Sequence, residues 1–262
     1  MSSRRIWAIV VRHLYIWPRT LERLMWAFGW PFLDLFIWGL VSSYFQKTSR
    51  AEFSLVNMLL GGVIFWTMFW RSQNEISVNF LDEGWNKNLI NLFATPLTWG
   101  EFLLATLILG LIKLVFTMAS VTLAALIFYQ FNFWSFGWAT PILVFNLLFF
   151  AWIVGFFVTG LILRFGYTVA ELAWGIMALI QPFSCVFYPL AALPVWAQKI
   201  ALTLPSTYVF EEMRRILFTG QADWDKLLIS FGLNCFYLVL VLKFFQWMYA
   251  NARIHGRLIK LN

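Results

Sequence analysis

Residues 102–128 read FLLATLILGLIKLVFTMASVTLAALIF, and the single charge in that run is Lys113. As a helix the run is about 40 Å long, enough to cross a hydrocarbon core of about 30 Å. Barrel strands would instead alternate in polarity over about ten residues. The run does not alternate, so the chain reads as all-α with lipid as its main solvent. The remainder agrees: of 262 residues 61% are apolar, 20% aromatic and only 12% charged. That is about half the charge of an ordinary soluble domain, and the mean hydropathy is +0.76.

Working outward, five more apolar runs fall at about 24–44, 53–70, 138–163, 172–189 and 227–250. The chain is thus expected to form one transmembrane domain over 1–262 with six spans. Basic residues collect on the cytoplasmic side of a membrane protein. Placing the N-terminus inside puts Arg4, Arg5, Arg12, Arg19, Arg23, Arg71, Lys87, Arg164, Arg253, Arg257 and Lys260 there. The outside then receives Lys47, Arg50, Lys199, Arg214, Arg215 and Lys226, so both termini are expected to be cytoplasmic. This bias accounts for the excess of 19 Lys+Arg over 12 Asp+Glu without a nucleic-acid partner. Cys185 and Cys235 lie in apolar stretches with no CxxC spacing, and read as buried free thiols.

Three connecting segments carry the rest of the information. In residues 4–23, Arg5, Arg12 and Arg19 recur every seven positions among Ile6, Ile9, Val10, Leu14 and Trp17. The pattern fits a helix lying on the anionic inner leaflet, and equally a basic flank of the first span. Between the second and third spans, a polar stretch from Arg71 becomes amphipathic and closes at Thr95-Pro96-Leu97. There Leu89, Leu92 and Phe93 stand opposite Asp82, Glu83 and Lys87 at helical spacing, and with Trp85 and Ile90 they exceed the apolar load of a free loop. A short projecting helix that docks a soluble partner is expected. The run Ala191–Leu204, bracketed by Pro189, Pro194 and Pro205 and containing Trp196, is too short to cross and is expected to enter and turn back. After it, Glu211 and Arg215 stand at i and i+4 and are expected to pair.

The stretches LINLFATPLTWGEFLLA and FSCVFYPLAALPVWAQKIALTLPSTYVFEEMRRIL, together with the basic N-terminus and six spans, resemble the permease subunits of type-2 ATP-binding-cassette (ABC) exporters. That group includes bacterial polysaccharide, teichoic-acid and drug exporters. The resemblance implies a multi-pass protein of the bacterial inner membrane that works as two permease chains, identical or related, with a pair of cytosolic ATPase subunits. It implies that Asp82, Glu83, Trp85, Lys87, Leu89, Ile90 and Phe93 contact the ATPase, and that Pro189 to Pro205 form an outer re-entrant hairpin. ATP and Mg would sit in the partner, with no cofactor or metal in this chain.

The residues agree with a non-catalytic role, because no G-x-x-x-x-G-K-[ST] phosphate-binding loop occurs. His13 and His255 lie in basic segments and read as interfacial side chains, and Ser184 and Ser206 have no His in the same loop to activate them. A gradient-driven transporter or channel is the alternative, although no internal repeat is visible and only Asp34 and Lys113 lie deep. Those two fall at similar depth from the inner side. They read either as an ion pair or polar patch on the pathway, or as a snorkelling lysine and a carboxylate beside the break at Pro31. The cargo implied is a lipid-linked glycan or a lipophilic small molecule.

Overall fold

The computed structural model describes residues 2–49, 53–85 and 94–254, and these are helical with no strand among them. Among the described residues ten α-helices follow in chain order. They are α1 (Ser3–Ile16), α2 (Leu21–Leu24), α3 (Trp30–Ser49), α4 (Phe53–Trp85), α5 (Trp99–Tyr129), α6 (Thr140–Phe165), α7 (Leu172–Ile180), α8 (Val195–Ala201), α9 (Pro205–Thr219) and α10 (Trp224–Ile254). Among the described residues four stretches are long and apolar enough to cross a membrane: Leu21–Lys47, Gly100–Tyr129, Phe133–Phe165 and Trp224–Asn251.

The expected second span lies inside α4, but the helix does not stop at its polar end. It continues to Trp85, a length of 33 residues, or about 50 Å. From Met58 to Phe69 every residue is buried, and past Trp70 the buried set continues through Gln73, Ile76, Ser77, Phe80 and Leu81. The stretch read as a polar connection is therefore a helix packed inside the protein. Its Ile76 and Phe80 stand one turn apart, and Gln73 and Ser77 bond each other at 3.0 Å. α4 is the central post: α3, α5 and α6 pack along it, and α10 covers α6.

The expected fifth span also differs. Only Leu172–Phe183 is helical there, about 18 Å in length and too short to cross. A turn at Gln181–Phe183 and the left-handed Cys185 (φ 55°) end it.

The first apolar stretch departs from regular α geometry ahead of its proline. Pro31 has no N–H, and its ring would strike the carbonyl four residues back in a regular α-helix. The chain widens into a π turn over Met25–Gly29, in which the Trp30 N–H bonds Met25 O. In that register the next donor would be residue 31, which has none, so the Trp26 carbonyl loses its helical partner. The Arg71 guanidinium of α4 supplies it.

At the opposite end of α4, Gly62 meets the turn before α8. A Cβ on Gly62 would stand 2.8 Å from the Val186 carbonyl oxygen, a backbone atom that cannot swing aside. Gly62→Ala is expected to cost about 1–3 kcal/mol of overpacking. The check is the midpoint of heat-induced aggregation in detergent, which should fall by several degrees.

Candidate functional site

The N-terminal helix is fastened to the bundle by carboxylates. α1 lays Ile6, Ile9 and Val10 against the core and packs along α5. Thr98 caps α5 with a capping box in which its hydroxyl accepts from Glu101 N while Glu101 accepts from Thr98 N. The same Glu101, fully buried, accepts from the Ser2 amide at 2.6 Å and pairs with Arg5 at 2.9 Å. Arg5 also donates to Pro96 O. About two turns along α1, Arg12 pairs with Glu83, and His13 Nε2 lies 2.9 Å from the same carboxylate. His13 is buried between helices at 7% exposure, where the sequence predicts only an interfacial side chain. Arg23 approaches Asp82 at 3.6 Å. Burial raises the Asp82 carboxyl above its ordinary range, against the opposing pull of Arg23 and Lys113.

The structure places Asp82 and Glu83 on the last turn of α4, facing the basic N-terminal segment, with Glu83 only 2% exposed. Lys87, Leu89, Ile90 and Phe93 lie outside the described residues, as does the side chain of Trp85.

Lys113 does not pair with Asp34. Its ammonium meets Glu75 of α4, which also accepts from Asn79 Nδ2 at 2.8 Å. The sequence analysis overlooked Glu75 because it sits in the polar run read as a connection. The available signal was Arg71, Glu75 and Asn79 at successive i+4 steps, a stripe that only a continuing helix would make. The Trp17 ring lies 5.8 Å from the ammonium and completes its surroundings.

Two cavities flank this polar core. One, of about 310 Å³, lies under α1 and is lined by His13, Trp17, Arg23, Asp82, Lys113 and Trp174 among others. The second, of about 340 Å³, is the place of Asp34, between Trp26, Trp30 and Pro31 on one wall and Thr67 and Trp70 on the other. Trp26, Arg71 and Asn74 line both.

At the other end, the proline-bounded segment is built as turns. Pro189 opens a 3-10 turn at Leu190–Ala192, Pro194 precedes α8, Trp196 is 62% exposed, and Pro205 begins α9. The expected Glu211–Arg215 pair is replaced. Glu211 pairs with Arg214 at 2.6 Å and accepts from Leu190 N at 2.7 Å, while Arg215 pairs with Asp223 at 2.5 Å. The reason is the turn at Cys185: Arg214 Nη1 donates to Cys185 O at 2.6 Å, satisfying a carbonyl that no helix serves. The Arg215 guanidinium holds the Asp223 carboxyl below its usual range. Ser184 and Ser206 bond each other at 2.8 Å, and Thr207 donates to Phe183 O at 2.9 Å. Cys185 is buried as expected, whereas Cys235 is exposed on α10. Among the described residues no group of His, Cys, Asp and Glu could hold a metal ion.

Apolar helices of membrane-crossing length around a post with a polar, ion-paired end define a multi-pass membrane protein. The model of the ABC-2 type transporter family matches residues 4–218. The chain belongs to that family and is the transmembrane component of an ABC transporter. No curated protein matches it.

The buried Lys113–Glu75 pair gives a direct test of this core. Glu75→Gln alone leaves an unpaired buried ammonium and is expected to cost about 3–5 kcal/mol, whereas Glu75→Gln with Lys113→Met should recover most of the loss. Thermal aggregation midpoints of the single and double variants in detergent check it.

Proposed function

We propose that this chain is the permease subunit of an ATP-driven exporter, with six passes, both termini in the cytoplasm, and a pathway formed with a second copy or a related permease. The family match over residues 4–218 carries the reading. In this reading α4 contains the second pass, and the fifth is completed by the short Leu172–Phe183 helix only together with the turns that follow it to Pro189, which lead into the re-entrant segment from Pro189 to Pro205 at the outer mouth. The energy comes from a pair of cytosolic ATPase subunits that hold ATP and Mg, and the chain itself catalyses no reaction. Its lack of a phosphate-binding loop supports that division of labour.

The coupling surface assigned to the ATPase runs from Asp82 to Phe93. α4 supports this assignment mechanically. A helix of 33 residues links the last turn bearing Asp82 and Glu83 to Gly62 beneath the turn before α8. A push on the segment after Trp85 would therefore be transmitted along one rigid rod, and the clamp of Glu83 on Arg12 would carry α1 with it. ATP binding drives export only if it favours one arrangement over the other by contacts absent in the second. The cargo is a lipid-linked glycan or a lipophilic small molecule. A plasma-membrane location in a bacterium follows from the same family reading.

The test is co-purification of the tagged chain with the ATPase encoded beside it. We expect a stable complex, lost when Leu89 and Phe93 are both changed to Asp. A complex that survives the double change would contradict the coupling assignment, and transport without any ATPase would contradict the permease reading.

A further inference from the structure

We propose that the cavity around Asp34 binds an organic cation with an apolar body, which selects a lipophilic ammonium or phosphonium among the cargo classes open to a permease. This deepens the permease reading and rests on it. The walls are set by helical register. On one side Trp30 and Asp34 stand one turn apart on α3, and Trp26, in the π turn before it, lines the same cavity with its indole 6.0 Å from that of Trp30. On the α4 side Thr67, Trp70 and Asn74 form the facing stripe. Three tryptophan rings and one carboxylate thus converge on about 340 Å³. Indole faces attract cations through their quadrupole, most strongly where water is thin, and a carboxylate adds full charge complementarity.

Asp34 makes no hydrogen bond or ion pair with any described residue. Arg71 lines the same cavity, but its guanidinium is engaged by the Trp26 carbonyl that Pro31 leaves without a partner. The neighbouring cations already have partners: Lys113 meets Glu75, Arg23 approaches Asp82, and Arg71, which lies near Glu75, donates to the Trp26 carbonyl. Asp34 is left without a cation among the described residues, and it stands among aromatic rings. That arrangement suits a cation and disfavours an anion of the same shape. The ammonium of a lipid headgroup shares this chemistry with a free amphiphile.

The test uses the full chain in lipid nanodiscs with two probes of nearly equal size and opposite charge, tetraphenylphosphonium and tetraphenylborate. Binding is read after subtraction of empty discs. We expect saturable binding of tetraphenylphosphonium and none of tetraphenylborate. Asp34→Asn should weaken phosphonium binding at least tenfold, Trp30→Leu should weaken it severalfold, and Asp34→Glu should retain it. Discs of phosphatidylglycerol alone, compared with discs containing phosphatidylethanolamine, distinguish the sources. Competition by the second lipid assigns the site to a headgroup ammonium, and undiminished binding assigns it to a free amphiphile. Equal binding of the two probes, or phosphonium binding unchanged in Asp34→Asn, overturns the inference. No nucleotide or ATPase enters the measurement, so its failure leaves the permease reading standing, and a failed co-purification leaves the binding result intact.

Discussion

The polar end of this bundle depends on buried carboxylates that each find a cation. Glu75 meets Lys113, Glu83 meets Arg12 with His13 beside it, and Glu101 meets Arg5 and the start of the chain. A carboxylate in so apolar a setting costs several kcal/mol unless it is paired and hydrogen-bonded. The three acids lie on α4 and α5, whereas the cations of two of them come from α1. The basic N-terminal helix is therefore a structural member that neutralises charges the bundle has already buried, and the lipid surface is not its only support.

The same principle of a freed group finding a partner shapes the other unusual features. Pro31 forces the π turn and strips Trp26 of its helical donor, and Arg71 fills the gap. The left-handed turn at Cys185 leaves a carbonyl that Arg214 reaches from α9. In both places an arginine that composition would assign to a surface is turned inward to serve backbone. Arg214 is 5% exposed. These two contacts join the segments that the chain's prolines interrupt to α4 and α9, which run without a break.

Much of this architecture was legible in the sequence, for a physical reason. A stretch such as 102–128 can satisfy its backbone in lipid only as a helix, so class and approximate boundaries follow from apolar length alone. The amphipathic register of Arg5 and Arg12 against Ile6, Ile9 and Val10 was legible too, but it pointed to the lipid surface, whereas the structure lays the apolar face against the bundle and pairs both arginines with its carboxylates. The polar continuation of α4 was not legible, because Arg71-Ser-Gln-Asn-Glu75 has the composition of a loop and its helical period is carried by buried polar groups. The choice of charge partners was also hidden. Depth counting brought Asp34 and Lys113 to one level, but partners are chosen by helix rotation, which sets Glu75 toward Lys113 and Asp34 toward the tryptophans. Similarly, i, i+4 spacing suggested Glu211 with Arg215, and the tertiary demand of the Cys185 turn redirected both.

The central claim is that carboxylates of the bundle hold α1 in place, and hydrogen–deuterium exchange of the full chain in nanodiscs tests it most directly. The account predicts slow exchange of the amides of residues 3–16, and at least tenfold faster exchange there when Glu83 and Glu101 are both changed to Gln, with α6 unaffected. Exchange in α1 that is the same in both proteins would show that lipid alone holds the helix, and would contradict the account.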